Sequence, residues 1–371
     1  MNLDSVVAES RVIVCCGSGG VGKTTTAAVI ALHAALLGRK TVVVTIDPAR
    51  RLADALGLDG LTNDPAQIPD LPAGSGEMWA MMLDTKSTFD ELVRRYAADT
   101  DQADRILGNS FYRNISGSLS GTQEYMASEK LYELAIESDY DLVVVDTPPT
   151  RNALDFLEAP KRLAKFLDHR LYRVLMLPTR GIVKAVNAAA QTLLRSITKV
   201  VGAEVIADAI AFFGAFEGME QGFKERASKV DDLLSVPSTA FILIASPHAD
   251  TMAEAKFFAT RLKQLGMSVR ALIINRMQPR FSSGRQDEPD QVEPEILASR
   301  LAGTSIGDQY RCLADAQHLA FGERKHVHGL AAQLAPAPVV QVAVQPFEVT
   351  NMATLQLLGQ ALFDPAVTSA W

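Results

Sequence analysis

Short apolar runs bounded by polar and turn residues alternate along this chain with longer stretches whose apolar positions recur every three or four residues. Residues 11–16 read as a buried strand, 22–37 repeat at helical spacing, and 41–46 read as a strand again. Such a strand-helix-strand unit belongs to a parallel sheet, because parallel neighbours need a crossover, and that crossover is right-handed. Residues 78–83, 142–145, 240–245, 271–274 and 339–344 are further strand segments, each flanked by turn residues and helical stretches. Six or seven such strands predict an α/β fold, a doubly wound and mainly parallel sheet, organised as a single domain over 1–371.

Two stretches break the alternation. Residues 86–137 and 181–235 are helical in pattern with no strand inside them, which predicts one helical subdomain inserted at an edge or end of the sheet. In the second, Ile182, Val186, Ala190, Leu193, Ile197 and Val200 form an apolar stripe, continued by Val205, Ile206, Ile210, Phe213, Phe216 and Phe223. Stripes of this kind line cores more often than clefts. The run SSGRQDEPDQVEPE over 282–295 is polar and acidic with two prolines, and predicts a mobile loop.

Charge and composition narrow the partners. Thirty-six Lys and Arg against 43 Asp and Glu leave a net charge of −7, without the basic excess that binding along nucleic acid or an anionic membrane requires. Asp4 and Glu9 stand where a secretory signal would be positive, and the longest apolar stretches, 27–37 and 205–216, are too short to span a bilayer. The three cysteines, Cys15, Cys16 and Cys312, permit neither a disulfide framework nor a Cys-x-x-Cys zinc site, so a reducing, cytoplasmic compartment is expected. Of six histidines, only His326 and His328 are spaced to share a strand face, a weak metal signal.

The strongest chemical signal is Gly17-Ser18-Gly19-Gly20-Val21-Gly22-Lys23-Thr24, followed by Thr25, lying between a strand and a helix. The glycines let the backbone curl with its N–H groups inward, so that an anion sits on the N-terminus of the next helix. Lys23 would reach the β- and γ-phosphates of ATP or ADP, and the Thr24 hydroxyl would ligate Mg²⁺. Asp146 ends a hydrophobic strand, which suits the carboxylate that holds the Mg²⁺ water shell; a helix N-cap in the following turn is the lesser alternative. Asp47 ends the second strand, where it would orient an attacking water. Followed by Pro48 it also fits an N-cap and first helical residue.

With the glycine-rich loop, Asp47-Pro48-Ala49 and Asp146-Thr147-Pro148-Pro149-Thr150 in place, the chain resembles the ArsA-like ATPases, meaning the arsenite-pump and tail-anchored-protein targeting ATPases, relatives of the MinD-type partitioning ATPases. The resemblance implies an inserted helical subdomain, with Asp47 as catalytic acid in a first switch running to Arg50, and a second switch from Asp146 to Thr150 with Arg151 beside it. It implies that Asn275 reads adenine and that Pro346 and Phe347 cover the base. It further implies a nucleotide-switched dimer, a homodimer or a heterodimer with a paralogous subunit, acting on a hydrophobic membrane-protein client.

Departures from the family pattern matter as much. Ser18 stands where the family carries a lysine that reaches the other subunit's nucleotide, so a cation from Arg50, Arg51 or Arg151 would have to serve instead; each of these also fits an ordinary solvated arginine. The arsenite-binding cysteines of the pump enzymes and the zinc-binding Cys-x-x-Cys of many targeting ATPases have no counterpart. Two readings stay open: an ATP-hydrolysing switch, and a low-turnover nucleotide-binding partner subunit or stress-linked regulator. A DNA- or membrane-binding partitioning ATPase is disfavoured by the acidic balance.

Overall fold

The computed structural model describes residues 2–47, 49–69, 71–110, 112, 122–168, 203–279 and 292–364. They fall into two compact units, one of Met1–Met82, Asp139–Ala153 and Pro237–Trp371, the other of Leu83–Ser138 and Leu154–Val236.

The first unit is an eight-stranded sheet: β1 (Val12–Gly17), β2 (Thr41–Thr45), β3 (Ala66–Gln67), β4 (Met78–Met82), β5 (Leu142–Asp146), β6 (Thr239–Ala245), β7 (Val269–Met277) and β8 (Val339–Ala343). The order is β3-β4-β2-β5-β1-β6-β7-β8, parallel throughout except for β3 against β4. β1, β2, β5 and β6 are buried at every position, which is why they read as unbroken apolar runs. The helix Lys23–Leu36 buries Ala27, Ala28, Ile30, Ala31, Ala34 and Ala35 in one core with the sheet residues Ile13, Val43 and Val144. Leu355 and Leu358 of the helix Met352–Phe363 and Val6 and Val7 of Leu3–Glu9 complete that core, and His33 stacks on Phe363 at 3.6 Å between ring centroids.

All seven expected strands are present, with shifted ends, and the α/β class holds. β7 outruns its expected 271–274 because its far end continues past a register irregularity between Ile274 and Met277, where Arg276 takes φ 61°. β3 was not anticipated, since two exposed residues carry no period. His326 and His328 do not share a strand face: they lie on the 30-residue helix Ser305–Leu334, where two residues apart means opposite sides. Of the loop expected over 282–295, the part up to 291 lies outside the described residues, and 292–295 open the helix Val292–Arg300.

The second unit contains helices Thr85–Tyr96, Thr100–Leu107, Thr122–Tyr132, Ala203–Ala215 and Glu220–Ser235, the greater part of Thr150–Asp168, and a π-helical turn Glu133–Glu137. Its core gathers Leu92, Ile106, Tyr112, Met126, Phe212 and Phe223, with Phe213 and Phe216 packed against them. Phe213, Phe216 and Phe223 belong to the apolar stripe, so at those positions the stripe is core; Ile182 to Val200 and the side chains of Val205 and Ile206 lie outside the described residues. Arg226 is buried with Glu129, its Nε donating at 2.6 Å, and stacks over the Tyr132 ring at 4.0 Å.

Candidate functional site

The carboxyl ends of β1, β2, β5, β7 and β8 bring the candidate residues to one edge of the parallel sheet, where ligands of such sheets bind. Gly17 closes β1 against β6: a Cβ there would land on the Ile244 carbonyl, so no other residue fits. Gly22 has φ 95° and its Cα faces the Asn275 amide, leaving neither the conformation nor the space for a side chain. From Lys23 the chain enters the helix, so the loop leads directly into a helix N-terminus, where the macrodipole favours negative charge.

Lys23 is 8% exposed and its Nζ donates to the Ser18 carbonyl at 2.8 Å. Burial lowers its pKa, the Asp146 and Asp47 charges oppose this, and the Arg51 charge pushes the same way as burial. The ammonium is thus nearly enclosed, with the Ser18 carbonyl as its hydrogen-bond partner and burial working against its charge.

Asp146 is fully buried. The sheet register sets Thr45 and Cys15 beside it, and its Oδ2 accepts from Thr45 Oγ1 at 2.9 Å and from Thr24 Oγ1 at 2.8 Å. Its Oδ1 is buried with no hydrogen-bond partner. Burial raises the Asp146 pKa against the opposing pull of both hydroxyls and of Lys23. An unsatisfied carboxylate oxygen beside a threonine hydroxyl is an all-oxygen donor set, the chemistry a hard divalent cation such as Mg²⁺ takes, directly or through water. The helix-cap alternative for Asp146 does not hold, since both hydroxyl donors come from side chains of other elements.

Asp47 sits half-buried beyond β2, and its Oδ1 accepts from the Ala49 N–H at 3.0 Å, an Asx turn that shapes the segment. It does not cap the following helix, Arg51–Leu56, whose N-cap is Arg50 without a side-chain bond. Arg50 turns its guanidinium to the Asp59 carbonyl, while Arg51 is exposed. Thr147 ties the segment after β5 to β1 by donating to the Cys15 carbonyl at 2.7 Å; Pro148 is half-buried and Pro149 exposed. Pro48 and the side chains of Thr150 and Arg151 lie outside the described residues. Asn275, near the end of β7, bridges to the loop: its Nδ2 donates to the Val21 carbonyl at 2.9 Å and its Oδ1 accepts from the Arg276 N–H at 2.9 Å, leaving one amide N–H to spare. Pro346, exposed, and Phe347, half-buried, follow β8, which runs beside β7.

Two participants were not legible in the sequence. Thr45 joins the site through sheet register, and Glu254, on the helix Ala249–Gln264, accepts from the buried Ser18 hydroxyl at 2.5 Å across a separation of 236 residues. Burial holds the thiols of Cys15 and Cys16 protonated, the latter pushed up to about 12, and Cys312 is exposed on another helix. Among the described residues no group of three or more His, Cys, Asp or Glu is arranged to hold a metal, and no helix is long and apolar enough to cross a membrane.

The family model for anion-transporting ATPases matches residues 10–290. ATPase GET3 of Malassezia globosa is 24% identical over 265 residues, 71% of this chain and 72% of that protein. ATPase GET3A of Arabidopsis thaliana is 24% identical over 287 residues, 77% and 70% of the two chains. ATPase ARSA2 of Chlamydomonas reinhardtii is 26% identical over 265 residues, 70% and 66%. The chain therefore belongs to the anion-transporting ATPase (ArsA) family and is an ATP hydrolase.

Proposed function

We propose that this chain binds Mg·ATP at the 17–25 loop and hydrolyses it as a nucleotide-switched dimer. The observation that carries the reading is the unpartnered Asp146 Oδ1 beside Thr24, at the mouth of a loop whose lysine is buried and under-compensated. Lys23 takes the β- and γ-phosphates, Thr24 and Asp146 hold the metal and its water shell, and Asp47 orients the attacking water. The Asp47–Arg50 and Asp146–Arg151 segments are the switches that register the γ-phosphate. Asn275, which already ties the loop to β7, together with Pro346 and Phe347, lies at the adenine end of the same sheet edge. A hydrophobic client and a cytoplasmic location are what the family resemblance implies.

Asp146→Asn tests the metal assignment. The amide oxygen can still accept from Thr24 and Thr45, so the fold is kept, while an NH₂ group replaces the oxygen that faces the metal. The Mg²⁺ concentration for half-maximal hydrolysis rises by about tenfold or more, the scale of losing one charged metal contact. An unaltered Mg²⁺ titration removes Asp146 from the metal site.

A second reading, a low-turnover partner subunit that works beside a lysine-bearing paralogue, is favoured by Ser18. Its hydroxyl is committed to Glu254 of the same chain, and a serine brings no charge to a neighbour's nucleotide. Ser18→Lys separates the two. Glu254 would hold part of the new ammonium in its own subunit, so turnover rises in Ser18→Lys and rises further in Ser18→Lys with Glu254→Gln. If neither variant is faster than the wild type in a phosphate-release assay, no cation acts across a dimer from position 18.

A further inference from the structure

We infer that Glu254 is a positioning residue for the phosphate loop, acting through the Ser18 hydroxyl to fix the residue whose carbonyl directs Lys23. The inference rests on the reading that residues 17–25 bind Mg·ATP, and adds to it a residue from a distant part of the chain.

A loop of glycines has little with which to hold its own shape, because glycine gives up more backbone freedom on ordering than any other residue. Gly17, Gly19, Gly20 and Gly22 leave Ser18 and Val21 as the loop residues before Lys23 that carry side chains. Each of these two is tethered from another element. Asn275 of β7 donates from Nδ2 to the Val21 carbonyl at 2.9 Å, and Glu254 Oε2 accepts the Ser18 hydroxyl at 2.5 Å. Ser18 and Val21 are buried, while Gly19 and Gly20 between them are exposed. The loop is thus pinned on either side of the stretch left open.

Ser18 is used at both of its oxygens. Its carbonyl accepts from Lys23 Nζ at 2.8 Å, and its hydroxyl donates to Glu254. A hydroxyl-to-carboxylate bond of this length is charge-assisted and about twice as strong as a neutral one. Holding the side chain restrains the residue that carries the carbonyl, so Glu254 acts on Lys23 through Ser18.

Glu254 reaches the loop from a fixed base. Gly17 pairs with Ile244 of β6, so the loop leaves the sheet beside the end of that strand. The turn after β6 is closed by Thr251, whose Oγ1 donates to the Ser246 carbonyl at 2.8 Å. The helix Ala249–Gln264 then buries Met252, Ala255, Phe258 and Leu262, which sets the direction of Glu254 among them. A loop ordered in advance leaves more of the phosphate contacts to appear as affinity, whereas a loose one loses part of them to its own ordering. Once phosphates hold Lys23, the tether has less left to do. Its loss therefore falls on nucleotide affinity more than on kcat.

The test uses the full chain as Ser18→Ala, Glu254→Ala, Glu254→Gln and the double variant Ser18→Ala with Glu254→Ala. Affinities for ADP and a non-hydrolysable ATP analogue are measured by titration calorimetry, and kcat by phosphate release. Each alanine variant weakens both nucleotides by about tenfold and keeps kcat within about threefold. The double variant is no weaker than the weaker single one, because both substitutions remove the same bond. Glu254→Gln recovers part of the loss, since its amide oxygen still accepts the hydroxyl. Melting temperatures without nucleotide stay near the wild type, position 254 being an exposed helix site that favours alanine. Affinities within about twofold of the wild type in both single variants overturn the assignment. So do losses that add in the double variant, a Glu254→Gln no better than Glu254→Ala, or a loss confined to kcat. Failure of the underlying reading looks different, since the wild-type protein would then bind neither nucleotide.

Discussion

Lys23→Ala abolishes detectable binding of ATP and ADP by titration calorimetry. Lys23 is the one residue in the loop that is both charged and nearly enclosed, and its ammonium has a single neutral carbonyl bond at 2.8 Å. Burial pulls its pKa down, so the charged form carries a desolvation cost that the surroundings do not fully offset. A polyphosphate entering the loop supplies the missing negative charge. Each charge-assisted hydrogen bond lost with the ammonium removes about 1.5–3 kcal/mol, and two phosphates share it, so affinity falls by about 10³-fold or more. The variant remains folded, because alanine is a strong helix former at the start of Lys23–Leu36 and relieves the desolvation cost. It therefore melts close to the wild-type temperature without nucleotide, and loses the rise in melting temperature that nucleotide gives the wild type. Undiminished affinity would place the nucleotide elsewhere.

The parts of this molecule that were legible in advance are those where local chemistry decides. Buried parallel strands must be apolar at every position, so β1, β2, β5 and β6 announce themselves, and a loop whose Gly17 abuts a carbonyl and whose Gly22 needs φ 95° admits little but glycine. What stayed hidden depends on register and on distant pairs. Nothing near Asp146 in sequence says that Thr45 will stand beside it; the pairing of β2 with β5 does. Nothing near Ser18 names Glu254. Helix ends were legible only to within a turn, and the spacing of His326 and His328 looked strand-like because two histidines carry no period of their own.

Asp47, half-buried just beyond β2, can be assigned by substitution. Asp47 offered two readings from sequence, a water-orienting carboxylate or a cap, and the Asx turn to the Ala49 N–H is a structural task in its own right. Asp47→Asn separates the two. Asparagine keeps an Oδ1 that accepts the same N–H and forms Asx turns as readily, so the segment's shape and the nucleotide affinity are retained. What is lost is the charge that draws a proton and orientation from the attacking water. Turnover falls by about 10²-fold or more, the usual loss on removing a positioned base, with ATP and ADP affinities nearly unchanged. Asp47→Ala removes turn and charge together and weakens nucleotide binding as well. The diagnostic quantity is the ratio of the two variants. If Asp47→Asn keeps wild-type turnover and only Asp47→Ala loses it, the carboxylate is a turn-former and the water is oriented by another group; if Asp47→Asn alone stops hydrolysis, the acid acts on the water.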